Sequence, residues 1–459
     1  MSKEPSVAII GAGLTGLTAA YFLQKEGVDA QVFEATCRIG GAVTTRRERE
    51  YLFEQGPSTL LRGSPVLERL LHELDLEKDL TPPNPEAKKR FVVRRGQPVA
   101  LPAGPLAFPF SPWLSFKGKL RLLTEPFRKR GPETKGETVA AFAERRLGRE
   151  VLDYGVNPFV GGIYAGDPKR LAVALAFPTL AEAEEKGGSL FRGFLKLAKE
   201  KKKARGGAPR PPKGTVSFAE GLEKLPQTLA EALSEKPVLK SPLQKAERTG
   251  DGRWQLTFAG GESKVFEQIL ITTWSEELAA TLPSPPERET WPEIRYAPVQ
   301  VVTLAFPRAT VGHALDGFGV LVPEVEDLPF LGVIFASSLF PGRSPEGEVL
   351  LNLFIGGERH PEAAAYNEEQ VRQKILPSVA ELLSIKAEPK FYAARHWPKA
   401  IPQYTLDHHS FLLSSQAAEK AWAGFFLAGN MVDGISMPQC LESGHKAARK
   451  ILSARGKDT

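Results

Sequence analysis

A short apolar strand running into three closely spaced glycines constrains this chain more than any other feature. Residues 6–10 read Ser-Val-Ala-Ile-Ile, Gly11-Ala-Gly13-Leu14-Thr15-Gly16 follows at once, and Leu17 to Glu26 has the pattern of a helix. Gln31-Val-Phe-Glu34 reads as a second buried strand, which completes a βαβ unit in about 30 residues. In such a unit Gly11 permits the tight turn, Gly13 lets a pyrophosphate approach the backbone, and Gly16 lets the helix pack closely on the strand. The helix N-terminus offers free N–H groups and partial positive charge to phosphates. Glu34 can accept ribose hydroxyls and disfavours a 2′-phosphate, so NADP is not expected. Glycine triplets also occur in ordinary turns. The strand before this one and the helix after it are what make it a dinucleotide signal.

The rest of the composition mainly excludes. A chain of 459 residues suggests two or three domains at roughly 100–200 residues each. It is 42% hydrophobic and 25% charged, ordinary for a globular protein. No apolar run reaches the about 18 residues of a membrane span, and Val7–Ile10 is too short for a signal peptide, so a cytoplasmic location is expected. Two cysteines, Cys37 and Cys440, exclude a disulfide framework, and no metal-ligand spacing occurs. The formal charge of +6 is partly local. Lys196, Lys199, Lys201, Lys202, Lys203, Arg205, Arg210 and Lys213 form one basic run. It reads first as a solvated face and next as contact with an anionic membrane surface. No nucleic-acid module accompanies it, so nucleic acid is not an expected partner.

Along the chain, residues 66–78 have helical spacing of leucines, and 81–112 read as a strand pair among loops. Residues 113–210 look mostly helical, including 138–147 and 189–203, up to Pro211-Pro212. Residues 238–273 alternate like strands, and further strands are expected at 299–306, 318–322, 331–336 and 349–355. A helix over 368–384 follows. Phe425 to Gly429 reads as a strand, and Pro438 to Leu452 as a helix capped by Ser436. Such a helix can point its N-terminus at an anion.

The residues after the second strand, Glu34-Ala35-Thr-Cys-Arg38-Ile-Gly40-Gly41, resemble the ExxxRxGG continuation of the flavin oxidase superfamily that includes amine oxidases. Phe53-Glu54-Gln-Gly56-Pro57-Ser58 resembles its segment passing close to the flavin. The remaining motifs are similar to those of protoporphyrinogen oxidases, nearly end to end. They are Asn157-Pro-Phe-Val-Gly-Gly-Ile-Tyr-Ala-Gly166-Asp167-Pro, Gly221-Leu-Glu-Lys-Leu-Pro226, Phe318-Gly-Val-Leu-Val-Pro323, Ile401-Pro-Gln-Tyr-Thr-Leu406 and Cys440-Leu-Glu-Ser-Gly-His. One stretch departs. Asp407-His408-His409 stands where relatives often read Gly-His, so neither histidine is assigned a role.

The resemblance implies an α/β plus α+β fold in three parts. A Rossmann-type FAD-binding domain is assembled from 1–80, 212–287 and 418–459. A mixed-sheet substrate domain takes 81–105 and 288–417, and a helical, membrane-contacting domain takes 106–211. It implies one non-covalent FAD, held at Gly11, Gly13, Leu14, Thr15, Gly16, Glu34, Ala35, Arg38, Gly40, Gly41, Gly56, Pro57, Ser58, Val238, Gly429, Asn430, Gly434, Ile435 and Ser436. Arg90 is implied as the partner of a substrate propionate, and Leu321, Ile334 and Phe354 as the apolar clamp on a tetrapyrrole. No catalytic side chain is implied, because the flavin does the chemistry.

The activity implied is six-electron oxidation of protoporphyrinogen IX by O2 in three hydride-transfer cycles. The protein would sit peripherally on the inner face of the cell membrane, as a monomer or a homodimer. Coproporphyrinogen III is the alternative substrate. A flavin amine oxidase, a carotenoid desaturase or a non-catalytic binding protein on the same fold are remoter readings.

Overall fold

The computed structural model describes residues 6–104, 106–131, 136–204, 206 and 212–456. At its centre four parallel strands lie in the order Phe425–Leu427, Gln268–Ile271, Val7–Ile10, Ala30–Phe33. Strands buried on both faces must be apolar throughout, and Val7–Ile10 is fully buried along its length. Val238 adds a fifth position beside Phe33 through a parallel bridge. The helices Leu14–Lys25 and Met437–Ala454 pack together against this sheet, so the first and last elements share one core. A three-stranded antiparallel layer, Leu243–Arg248, Trp254–Phe258 and Ser263–Phe266, covers the other face.

A second sheet of seven strands runs Phe391–Pro402, Tyr296–Pro307, Glu348–Gly356, Gly332–Ile334, Gly317–Leu321, Lys89–Arg94, Gln97–Ala100. One of its faces buries Val302, Leu304, Val320, Val333, Leu351 and Leu353 beneath the helices Glu368–Lys374 and Leu376–Leu383. The third part is helical, between Phe116 and Ala204. Its centre is charged: Arg146 and Glu184 are both 0% exposed, with Nε to Oε1 at 3.4 Å, and Arg146 also pairs with buried Glu125.

Several expectations need correction. The helix expected over 66–78 ends at Glu73, because Asp75 takes a left-handed φ of 55°. The helix expected over 368–384 is two, broken at Ile375 where Pro377 forces a new start. The strand Phe391–Pro402 and the helix His408–Ala421 were not anticipated. That strand is an edge carrying Arg395, Pro398 and Lys399, a composition that hides strand character while discouraging edge pairing. The boundary expected at 418 falls inside the helix His408–Ala421, whose Phe411 and Ala418 pack with Trp254 and Phe425 on the cofactor side. Arg205, Arg210 and Pro211 lie outside the described residues.

Candidate cofactor and substrate site

The cradle is built from backbone. Gly11 has φ +109°, and a β-carbon on it would lie 2.6 Å from Thr272 Oγ1. A β-carbon on Gly16 would lie 2.0 Å from the Gly11 carbonyl oxygen, so only glycine lets the helix sit this close to the strand. Gly13 differs, because its nearest neighbour would be the bare Gly41 Cα at 4.0 Å. The two glycines thus face each other with no side chain between them. Gly13 is the N-cap of its helix and no side chain caps it, leaving first-turn N–H groups for an anion.

Glu34 stands at the mouth. Its Oε2 accepts from Ala12 N–H at 2.9 Å and its Oε1 from Thr36 N–H at 2.9 Å, which orients the carboxylate. Glu34 N–H donates to Val238 O at 2.8 Å, tying that residue in, and Ala35 is exposed beside it. Arg38 donates to the carbonyls of Ile39 at 3.1 Å and Gly41, bracing the Gly40-Gly41 turn against Ala12. Burial pulls the Arg38 guanidinium below its ordinary pKa, Glu223 opposes this, and Arg395 and Arg46 add to it.

The other cofactor candidates converge here. Leu14 and Thr15 are buried in the first turn, and a β-carbon on Gly429 would lie 3.6 Å from Thr15 Oγ1. Gly429 N–H donates to Ser443 Oγ at 2.8 Å, and Tyr404 Oη donates to Asn430 O at 2.5 Å. Ser436 caps the helix Met437–Ala454 in a capping box with Gln439, and no acidic residue neutralises its first turn. Gly434 packs against Gln439, whereas Ile435 leans into the core of the helical part. Gly56 lies against the Ala42 carbonyl, and Ser58 beyond Pro57 keeps a buried hydroxyl without a hydrogen-bond partner. Bare backbone, an uncapped helix end, an oriented carboxylate and an unpaired hydroxyl together fit a bound dinucleotide.

The substrate candidates lie on the free face of the seven-stranded sheet. Leu321 pairs with Gly332, Gly332 with Phe354, and Phe354 with Val301, so their side chains share one face. Ile334 is two residues from Gly332 on the same face. Arg90 is exposed at the rim, its guanidinium 5.5 Å from the Phe318 ring, and Phe318 packs with Ile334. The helix Asn157–Tyr164 closes one side. A β-carbon on Gly162 would lie 2.6 Å from Leu321 Cδ2, which explains the glycine pair in that motif.

The two sites face each other. Trp397, on the same face through its pairing with Val299, donates from Nε1 to Gln55 O at 2.6 Å. Ser58, Glu54, Ile334 and Asn352 line a common cavity between segment and sheet. Sequence reasoning missed Val299, Val301, Phe318, Trp397 and Arg395. Tyr296–Pro307 is buried on both faces over most of its length, so alternation carried no signal. Arg395 was hidden in the unrecognised edge strand. It lies opposite Val301 and over the Trp397 ring at 4.7 Å, a second cation on the face.

Comparison with known proteins agrees with this geometry. The family model described as flavin containing amine oxidoreductase matches residues 14–452. Protoporphyrinogen oxidase 2, chloroplastic/mitochondrial, of Arabidopsis thaliana is 32% identical over 97% of this chain and 94% of its own. Coproporphyrinogen III oxidase of Staphylococcus aureus is 26% identical over 98% of this chain and 99% of its own. A crystal structure assigned as a protoporphyrinogen oxidase from Exiguobacterium superposes with TM-score 0.80 at 23% identity, covering 98% of this chain and 99% of that one. The chain therefore belongs to the flavin-containing amine oxidoreductases and, among them, to the protoporphyrinogen oxidase family, and is a flavin-dependent oxidoreductase.

Proposed function

We propose that this enzyme binds one FAD non-covalently and oxidises protoporphyrinogen IX to protoporphyrin IX with O2. The observation that carries this reading is the apolar row that sheet register makes of Leu321, Ile334 and Phe354, with Arg90 exposed at its rim and Ile334 sharing a small cavity with Ser58 of the cofactor segment. Flavin, when bound, would accept the hydride of each two-electron step and pass its electrons to O2. The chain's own residues bind, orient and exclude water. Leu321 and Phe354 offer an apolar wall to a macrocycle, with Val301 buried beside Phe354. Arg90 is suited to a carboxylate because its planar fork grips two oxygens. Glu54, the carboxylate that shares the cavity with Ile334, is already held by Thr45, Leu222 and Arg343, and in this reading the protons leave from the pyrrole nitrogens themselves.

A second reading, coproporphyrinogen III, is favoured by Arg395. A substrate with carboxylates on all sides would use a second cation on the same face. Anaerobic mixing tests the proposal: protoporphyrinogen should bleach the flavin absorbance, and no bleaching by either porphyrinogen would reject it. Acid precipitation should release the yellow colour, since Cys37 is exposed and no flavin-linking motif surrounds either cysteine.

We also propose peripheral attachment to an anionic membrane through the helical part. Among the described residues no helix is long and apolar enough to cross a membrane. Yet Leu106, Phe110, Phe116 and Phe127 are each more than 80% exposed. Phe191, Phe194 and Leu195 extend the apolar surface on the lysine-rich helix Leu190–Ala204, whereas Leu190 is buried. Aromatics at an interface beside cations worth roughly 1 kcal/mol each is the physics of such binding. Anionic liposomes should sediment the protein at low salt and release it as salt rises. Equal, negligible sedimentation with neutral and anionic liposomes would reject attachment.

A further inference from the structure

The Gly221-Leu-Glu-Lys-Leu-Pro226 motif packs its Pro226 against Gly40 of the cradle. It also holds together a polar chain that runs between the cradle and the pocket face. Arg38 Nη1 lies 3.9 Å from Glu223 Oε1. Thr45 N–H donates to Glu223 Oε2 at 3.1 Å, and Glu223 N–H donates to Thr45 Oγ1 at 3.0 Å. The Thr45 hydroxyl donates to Glu54 Oε2 at 2.6 Å, and Leu222 N–H donates to Glu54 Oε1 at 2.9 Å. Arg343 Nη1 is 3.5 Å from Glu54 Oε1, and its Nη2 donates to Ser217 Oγ at 2.6 Å. Gly221 allows the approach. Its φ is +98°, and a β-carbon there would lie 2.2 Å from Thr45 Cγ2.

The ends of this chain meet different parts of the site. Arg38 braces the cofactor turn, whereas Glu54 and Arg343 are each 4% exposed and line the cavity with Ser58 and Ile334. Glu54 also ends the hairpin strand that leads into Gln55–Ser58. Arg343 O accepts from Leu52 N–H at 3.1 Å, pinning that hairpin from the other side. Apolar residues can stabilise a fold as well as a buried ion pair does, but they cannot replace its directional bonds. We infer that Arg343 is a positioning residue. Acting through Glu54, it sets the gap between segment Gln55–Ser58 and the wall at Ile334, so one polar chain fixes both the cofactor turn and the width of the substrate pocket. The identity of what fills the pocket rests on the proposed function; the chain itself does not.

The test compares wild type, Arg343→Met, Glu54→Gln, the double variant and Arg343→Lys. Each is measured for flavin content, Tm, porphyrinogen kcat and KM, and the visible circular dichroism of the bound flavin. Either apolar or neutral single variant leaves one buried partner unmatched and is expected to lower Tm. The double variant removes both charges. It should recover wild-type Tm and flavin content, yet show KM raised about tenfold at little-changed kcat, with altered dichroism. Arg343→Lys keeps the charge without the fork and should restore only part of the KM. A double variant with wild-type KM and dichroism would overturn the inference and leave the pair a stabilising contact. If wild type bleaches with no porphyrinogen, the proposed function has failed, and the dichroism still decides the positioning role.

Discussion

The proposed cofactor cradle and substrate wall would solve recognition in opposite ways. The cradle at Gly11–Gly16 and Glu34–Gly41 presents backbone, and its residues sit almost consecutively in the chain. The wall presents side chains from strands far apart in sequence, brought into one row by sheet register: Arg395, Val301, Phe354, Gly332, Leu321. A phosphate needs N–H groups and room, which glycines next to a helix provide. A large apolar ring needs area, which only a folded sheet can assemble. The contrast predicts that damage to the cradle is all-or-none for the cofactor, whereas damage to the wall is graded and falls on the substrate.

The largest effect is expected at Gly13. A β-carbon there meets nothing closer than 4.0 Å in the protein, so Gly13→Val should fold and yet retain no flavin, since its side chain would occupy the phosphate position. Gly16→Val should instead lower stability, because it strikes the Gly11 carbonyl. Absorbance and thermal melts of the two purified variants separate these outcomes. A colourless Gly13→Val that also fails to fold would erase the distinction between a ligand glycine and a packing glycine.

An acid-sensitive element lies next to the cradle. His408 is 3% exposed and stacks 4.6 Å from the Tyr404 ring, whose hydroxyl holds Asn430 O. Burial pushes its pKa down to about 4, and neighbouring His409 adds to this. Unfolded histidine titrates near about 6.5. Between those values the unfolded chain takes up a proton that the folded one refuses, so stability falls as pH falls, by up to about 3 kcal/mol near pH 4. His408→Leu should flatten that acid limb in melts between pH 7 and 5. An unchanged limb would show that His408 is not its source.

Smaller effects are expected at the wall. Phe354→Ala should raise KM more than it lowers kcat and leave flavin content unchanged, if the partly buried ring belongs to the proposed wall. Arg90→Ala should raise KM about tenfold with Tm unaffected. The side chain is exposed and stacks on Phe318, so a carboxylate there would be gripped at the rim. Steady-state kinetics alongside melts test both. A stability loss at Arg90 without a change in KM would move the carboxylate contact elsewhere, with Arg395 the first candidate.

This difference also sets what the sequence could reveal. Strand, glycine turn and helix announce the cradle, because each local preference agrees with its neighbours. The N-cap at Ser436 was readable for the same reason. Arg90, Leu321, Ile334 and Phe354 came only from family resemblance, since nothing local marks which face of an apolar strand is free. Val301 and Val302 look alike in sequence, yet one is buried in the cluster with Val299 and Phe354 and the other in the core beneath the helices. The strand Phe391–Pro402 escaped notice because its charges and prolines serve the sheet edge, and Trp397 and Arg395 went with it. The buried Glu54–Arg343 pair joins residues 289 apart, a separation across which no local pattern carries.

In the proposed reading, the wall is shaped for a porphyrinogen and reads its carboxylates from the rim. The most direct test is kcat/KM for protoporphyrinogen and coproporphyrinogen side by side, on wild type and Arg90→Ala. Wild type should oxidise both, with protoporphyrinogen preferred, and Arg90→Ala should lose most of its kcat/KM on protoporphyrinogen through KM. Turnover of neither substrate by a flavin-loaded enzyme, or kinetics indifferent to Arg90, would contradict it.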